Sequence, residues 1–446
     1  MTEYSKKTVA ATKSPDVPDA EAKNDYPLDH VPQTAKKSFF SVAAVLLGIT
    51  FFSPTMTTGA QLGEAFSFGS LIWILIAGNL VLGVYVAVNC AIGAKTGLTS
   101  VMLSRYTLGT IGSKWADILL GGTQIGWYAY LAAYMGQMYA LAFDADKFFL
   151  LFTIGWGILF GVTALWGYRA MEKVAYVAIP ALLILVIYIP IAATESAGGW
   201  SAIIDNVPTQ EMTVPAALTA IVGTFASMGT QACNWSRFSK SAKVGFWSGL
   251  IAFLIGNFIM LIAGVVGGIA YQESDFVVVM MSMGTLVMVF AVIILTMNIW
   301  TTAHAGAYAW AVAGSEAFNS KKKNLFLVVG LVLALLFACT GIYNQLIGWL
   351  VFLGIFIPPL GGAIIGDYFF TYKRRLPKLA YVRFRKFRIS PVASYVVGVV
   401  VAYVTNQIGF GVPPLFGIVA SGLCILLFNA IFKNDMHEIA KDAEYI

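Results

Sequence analysis

Charge is scarce in this chain. Asp, Glu, Lys and Arg make up 11% of its 446 residues, less than half the share usual in soluble domains. An ordinary water-solvated domain is thereby excluded. Histidine occurs three times, and only His304 falls inside an apolar run. With no His-x-x-x-His or Cys-x-x-Cys pair, no metal or nucleophile set is available at membrane depth, so neither an enzyme nor an enzymatic cofactor is expected. The four cysteines, Cys90, Cys233, Cys339 and Cys424, are isolated from one another and read as small core residues. Also missing are ten-residue segments of alternating polarity, which excludes a β-barrel.

What fills the chain is apolar: 59% of residues are hydrophobic and mean hydropathy is +0.78. A helix needs roughly 20 apolar residues to span hydrocarbon. Twelve such runs begin near Phe39, Gly69, Ser113, Phe148, Ala170, Val214, Val244, Thr285, Asn324, Gln345, Pro391 and Pro413. The expectation is an all-α polytopic membrane protein with twelve transmembrane helices.

Basic residues resist translocation and mark the cytoplasmic side. With a cytoplasmic start they fall in residues 1–37 and in the even loops, around Lys95 to Lys114, Arg169 and Lys173, Arg237 to Lys243, Lys321 to Lys323 and Lys373 to Arg388; only Lys147 falls outside. Both termini are therefore expected in the cytoplasm. The net charge of +6 then reflects topology and contact with anionic lipid, and no nucleic-acid partner is expected. Residues 1–37 are too polar to order themselves and read as a flexible tail, 38–432 as the membrane domain and 433–446 as a C-terminal tail. The N-terminal segment has no apolar core or cleavage site of a signal peptide.

Some runs are interrupted where hydrocarbon should surround them. The first reads Gly48-Ile-Thr-Phe-Phe-Ser-Pro-Thr-Met-Thr-Thr-Gly59, where Pro54 removes an amide donor. The sixth reads Gly223-Thr-Phe-Ala-Ser-Met-Gly-Thr-Gln231, and the eighth carries the polar stretch Thr296-Met-Asn-Ile-Trp-Thr-Thr-Ala-His304. Interruptions at matching places in the two halves of a chain point to a transporter site, and the spacing from run one to run six implies a five-helix repeat.

Six ordered motifs make the chain similar to the nucleobase-cation symporter-1 transporters, and among them to the bacterial cytosine permeases. They are Val31-Pro-Gln-Thr-Ala-Lys36, Leu47-Gly-Ile-Thr-Phe-Phe-Ser53, Ile92-Gly-Ala-Lys-Thr-Gly-Leu-Thr99, Leu120-Gly-Gly-Thr-Gln-Ile-Gly-Trp127, Asn298-Ile-Trp-Thr-Thr302 and Ile357-Pro-Pro-Leu-Gly-Gly-Ala-Ile-Ile-Gly-Asp367. The resemblance runs from Val31 to about Phe432. It implies a LeuT-type fold with inverted repeats over about 38–195 and 213–370, two extra helices over about 391–432, and a site beside broken helices one and six. It also implies a bacterial plasma membrane and no obligate protein partner.

Beside the resemblance, the residues have their own chemistry. Gln124 and Trp127 are three apart on one helical face, offering an amide for a ring edge and an indole for its plane. Phe225 would close the other face, with Ser227 and the backbone near Met228 adding hydrogen bonds. In the family, residues aligning with Gln124, Trp127, Phe225, Ser227 and Asn298 contact the base. Thr301 and Thr302 offer two uncharged hard oxygens, and the family's sodium site matches them together with the Asn298 carbonyl and carbonyls near Gly48 and Phe51. Proton coupling would use a buried carboxylate or histidine, but Glu64, Asp117, Glu172 and Asp367 are read as lying toward helix ends, so Na⁺ is preferred.

The chain departs from the cytosine permeases after Thr302, where Ala303-His304-Ala305 stands in place of Asn-Asp-Asn. A methyl there cannot hydrogen-bond a base edge, which would redirect specificity. His304 is a substrate contact, a participant in proton coupling or a bond to a neighbouring helix, and Gln61 offers further polar recognition. The resemblance thus implies sodium-coupled, electrogenic import of a nucleobase, cytosine first. The alternatives are another purine- or pyrimidine-like ring, proton coupling, or a receptor built on a transporter fold.

Overall fold

In hydrocarbon each backbone N–H and C=O has to be satisfied within its own segment, and the apolar runs accordingly fold as helices. The computed structural model describes residues 30–165, 169–318, 320 and 322–446, with backbone alone at 169–179, 312 and 316. Most of the expected N-terminal tail, Lys321 and the side chains of Arg169 and Lys173 lie outside the described residues.

The order is α1 (Phe39–Thr50), α2 (Pro54–Ala65), α3 (Phe68–Thr96), α4 (Ser100–Ala142), α5 (Phe149–Leu165), α6 (Arg169–Ser196), α7 (Val214–Thr224) and α8 (Ala226–Thr230). There follow α9 (Ala242–Tyr271), α10 (Phe276–Ser282), α11 (Thr285–Ala317), α12 (Lys323–Ala338), α13 (Leu346–Phe356), α14 (Pro358–Gly366), α15 (Ile389–Gln407) and α16 (Pro413–Ile431). Among the described residues, seven helices are long and apolar enough to cross a membrane, or eight if the bent pair α1–α2 is one span. Large apolar side chains such as Phe40, Trp73, Ile184 and Leu336 face outward, 63–81% exposed, as a lipid-facing surface requires. Cys339, read from sequence as a core residue, is exposed at the end of α12.

The first run is bent by 59° between α1 and α2. Pro54, at the first position of α2, has no N–H to continue the ladder. The groups freed at the bend find a partner on another helix. Asn298 of α11 donates from Nδ2 to the Phe51 carbonyl at 3.0 Å and accepts the Ser53 N–H at Oδ1 at 3.2 Å. Its amide replaces bonds that the helix cannot make itself. Beyond the bend, α2 packs backbone to backbone on α9: a Cβ on Gly264 would lie 1.9 Å from the Met56 carbonyl oxygen, and one on Gly59 2.1 Å from that of Leu261. Any larger residue would push the two helices apart. In the sixth run, Phe225 (φ −129°, ψ 20°) leaves the helical region between α7 and α8.

At the end of the molecule where both described termini lie, the backbone departs from the sequence expectation. The third helix was expected from Ser113, but α4 starts at Ser100 and kinks at Gly109, whose φ of +87° favours glycine. The freed amides of Thr110 and Ile111 donate to the carbonyls of Arg385 and Lys386 at 2.9 and 2.8 Å. Asp117 and Asp367, read as helix-end acids, are both buried. Asp367 forms a two-pronged pair with fully buried Arg388, at 2.6 and 2.9 Å, and the same guanidinium donates to the carbonyls of Tyr106 and Asp435. Residues 433–446 are bound as a strap across this end. A short strand β1 (Val382–Arg383) pairs antiparallel with β2 (Glu438–Ile439), Ser390 N–H donates to Asp435 Oδ2 at 2.7 Å, and Ile446 N–H donates to the Leu376 carbonyl at 2.9 Å.

His437 holds the strap through both ring nitrogens. Nδ1 accepts from the Arg385 N–H at 3.1 Å, so Nε2, 2.8 Å from the Tyr106 carbonyl, is the donor. Those partners require the neutral ring. Burial, and then the neighbouring Arg388 cation, lower its pKa from 6.5 to about 4.

Three outcomes are expected of melting experiments on the purified protein. Arg388→Met leaves Asp367 as an unpaired buried charge and should cost about 3–5 kcal/mol, most of it recovered in Asp367→Leu/Arg388→Met; a double variant no better than the single one contradicts this account. Asn298→Ala strands two backbone groups at the bend and should cost about 2 kcal/mol, at about 1 kcal/mol per lost bond. His437 binds its proton less readily folded than unfolded, so its contribution is complete above pH 6.5 and lost as pH falls toward about 4. The melting midpoint should therefore fall more steeply over that window in the parent than in His437→Gln.

Candidate functional site

The bend in the first run, the interruption at Phe225 and the polar stretch of α11 meet around one cavity of about 650 Å³. It extends along α1 as far as Ser41, toward the end that carries the termini. Among the described residues, none with a charged side chain lines it.

Gln124, Trp127, Phe225, Met228 and Asn298, singled out from sequence, all line this cavity. Ser227 stands behind them. Its hydroxyl receives the Nε2 donors of Gln124 at 3.2 Å and Gln231 at 3.3 Å, and lies 2.8 Å from Thr123 Oγ1, whose own proton goes to the Leu120 carbonyl at 2.7 Å. The hydroxyl protons of Thr123 and Ser227 each then have one acceptor. The relay fixes the Gln124 amide with nitrogen toward Ser227 and presents Oε1 as a free acceptor, 3.6 Å from where a Cβ on Gly306 would stand. Ser227 thus acts on the cavity through Gln124. Asn298 lines the cavity with both ends of its amide engaged by the bend in the first run.

Aromatic rings close the cavity on the side away from the termini. Phe52 lies edge-on to Trp127 (centroids 5.4 Å, 77°) and to Phe225 (6.2 Å, 65°), and Trp127 meets Tyr130 at 6.2 Å and 90°. Phe52 was not singled out from the sequence. The signal was present in the Phe51-Phe52 pair ahead of Ser53-Pro54, where an unwound backbone turns one of two adjacent rings inward.

The proposed cation ligands fall on the other wall. Gly48, Asn298, Thr301 and Thr302 line the cavity, and the Phe51 carbonyl joins them through the Asn298 amide. Thr301 and Thr302 donate their protons to the Asn298 carbonyl at 2.8 and 3.0 Å. Each hydroxyl has thus placed its proton and keeps lone pairs for a hard cation, so the donor set suits an ion that needs uncharged oxygen. Elsewhere in the polar stretch Thr296 lies 3.2 Å from the Tyr139 hydroxyl and the Trp300 Nε1–H donates to Thr163 at 2.9 Å, whereas His304 Nδ1 is buried without a hydrogen-bond partner. His304 is 2% exposed and is not a lining residue of the cavity, whereas Ala303 is. Gln61 is half-buried in α2, also outside the lining.

The family model for permeases for cytosine/purines, uracil, thiamine and allantoin matches residues 30–424. A cytosine permease of Escherichia coli strain K12 is 33% identical over 411 residues, covering 92% of this chain and 96% of that protein. Among solved structures, the inward-facing conformation of Mhp1 superposes with a TM-score of 0.80 at 17% identity, covering 93% of this chain and 95% of that one. The closed conformation of Mhp1, a nucleobase-cation-symport-1 family transporter with bromovinylhydantoin bound, gives 0.72 at 17% identity over 92% and 96%. A Na⁺-coupled sialic acid symporter shares the fold more distantly, with a TM-score of 0.53 at 12% identity over 88% and 97%. By the extent of the family match and the identity to the cytosine permease, this chain belongs to the cytosine/purine permeases of the nucleobase-cation-symport-1 family.

Proposed function

We propose that this nucleobase permease is a sodium-coupled importer that carries cytosine by alternating access. The observation that supports it most is the cavity itself: a lining uncharged among the described residues, one fixed amide acceptor at Gln124, and the rings of Trp127, Phe225 and Phe52. A neutral planar heterocycle satisfies such a site, because its edge donors meet the amide and its faces meet the rings. A charged solute would lie there without a counter-charge. Sodium is favoured over protons because the oxygens beside the bend carry no formal charge, while Asp367 is already neutralised by Arg388 and does not reach the cavity.

In this reading the chain crosses the membrane twelve times, as two inverted five-helix repeats over about 38–195 and 213–370 with two further helices, α15 and α16. Spans one and six are broken at the site. Both termini are cytoplasmic, in a bacterial plasma membrane, supported by the basic residues Lys36, Arg105, Arg237, Arg374 and Arg388 at the strapped end. The cavity reaches toward that end, so the conformation is inward-facing, in keeping with the superposition on inward-facing Mhp1. External Na⁺ would favour the outward arrangement by joining α1 to α11, and coupling follows from its different affinity for the two states. The gate is α13–α14, where Pro358 interrupts the tenth run. The partners are the base and membrane lipid, with no obligate protein partner.

A second reading keeps the mechanism and changes the base. Ala303 lines the cavity where the cytosine permeases carry an amide, so a ring with one fewer edge contact would be preferred.

Uptake of radiolabelled cytosine into proteoliposomes under an inward Na⁺ gradient, with uracil, adenine, guanine, hypoxanthine and hydantoin as competitors, distinguishes these readings. Sodium-driven, charge-moving accumulation is expected, and Trp127→Ala should lower it at least ~10-fold, about 1.4 kcal/mol of stacking and contact. Equal uptake with and without sodium would overturn the coupling. Accumulation of another base instead of cytosine would favour the second reading.

A further inference from the structure

A column of aromatic rings leads from the substrate cavity to the end of the molecule opposite the termini. Trp127 lines the cavity, Tyr130 meets it edge-on, and Tyr343 stacks on Tyr130 with centroids 5.7 Å apart and planes 13° apart. Tyr134, one turn beyond Tyr130 on α4, meets the edge of Tyr343 at 6.2 Å. Tyr343 belongs to the single turn Ile342–Gln345 that leads into α13. Its hydroxyl donates to Asp275, lying 2.7 Å from each carboxylate oxygen. Asp275 is itself held in place, because Oδ1 also accepts the Val277 N–H at 2.9 Å as the N-cap of α10 and its own N–H donates to Glu273.

Beneath this roof the packing is not satisfied. The hydroxyls of Ser53, Thr57, Tyr130 and Tyr134 are buried beside one another, and none makes a well-formed hydrogen bond: Thr57 meets both tyrosines and Ser53 meets Tyr134 only in weak contacts. Unpaired buried hydroxyls disfavour the state that buries them, and water admitted from the far end would pair all four. The closed roof therefore needs a compensating bond, and Tyr343–Asp275 is the one the structure provides at its edge.

We propose that Tyr343 is the outer roof of the substrate cavity and Asp275 the catch that holds it shut. The catch opposes the unpaired hydroxyls below, so the two arrangements of the roof lie close in free energy. When Tyr343 leaves Asp275, the start of α13 moves off Tyr130 and the hydroxyls become the first polar contacts a base meets on the way to Gln124. This deepens the alternating-access reading and rests on it.

Hydrogen exchange of the full chain in nanodiscs tests the catch without substrate or sodium. Tyr343→Phe keeps the ring stack and the cap of α10 but loses the bond. It should exchange about five-fold faster than the parent over 272–285 and 340–350, the factor that one lost hydrogen bond contributes. Asp275→Asn, which keeps an acceptor and a good cap, should show a smaller change in the same segments. Exchange in Tyr343→Phe equal to the parent would overturn the proposal. So would an acceleration that extends equally to the strap at 433–446, because that marks general loosening. Failure of the uptake assay would sink the coupled-carrier reading and leave this measurement interpretable.

Discussion

The amide of Asn298 is the contact on which the site depends. A helix interrupted in a bilayer has backbone groups that lipid cannot solvate, and the bend between α1 and α2 survives because one side chain on α11 supplies both a donor and an acceptor to it. The same residue gives its carbonyl to Thr301 and Thr302. The geometry of the bend, the positions of the hydroxyl oxygens and the placement of Phe52 are therefore not independent. A cation bound among those oxygens would act directly on the joint between two helices, and a base held against Phe52 would act on the same joint from the other side. In the proposed symport, coupling between ion and base would need no longer pathway than this.

The polar groups of the cavity are few, and their directions are fixed from behind. Ser227, Thr123 and Gln231 form a closed proton relay whose outcome is a single oriented acceptor at Gln124. Specificity in such a site depends on which edge atoms remain unpaired, so Ala303 matters for what it does not offer. The aromatic rings add area and plane but discriminate poorly between bases of similar size.

Much of this was legible in the sequence, for physical reasons that also set its limits. The hydrophobic runs locate the helices because lipid demands them, and Pro54 and the Gly223 to Gln231 segment locate the interruptions because breakers at mid-depth have no other use. Hydropathy placed the start of the third helix at Ser113, however, because residues 100–108 bury their surface against protein rather than lipid and carry polar residues. Asp367 read as a helix-end acid because its partner, Arg388, lies 21 residues further on, past a non-helical segment whose path sequence order does not reveal. Ser227 was read as a ligand of the base because a hydroxyl next to a break can face either way; its relay to Gln124 depends on α4 and α8 meeting. Phe51 and Phe52 are equivalent on paper, and only the unwound backbone distinguishes them. The Tyr343–Asp275 contact joins residues 68 positions apart in the sequence, with no local pattern to announce it.

The strap has a consequence for how the protein is made. Arg388 is synthesised after Asp367 and Tyr106, yet one of its acceptors, the carbonyl of Asp435, lies beyond the last helix. A ribosome that has delivered α15 to the membrane has thus produced a cation whose final coordination does not yet exist, beside a strand, β1, with no partner edge. Both are resolved only once α16 has been inserted and residues 435–439 emerge. Chains arrested before that point would present an incompletely paired guanidinium and an open strand edge at this end of the molecule, and an open edge is a template for pairing with another chain. Residues 435–439 thereby set the moment at which this end of the molecule becomes rigid, and with it the frame on which α1 and the cavity stand.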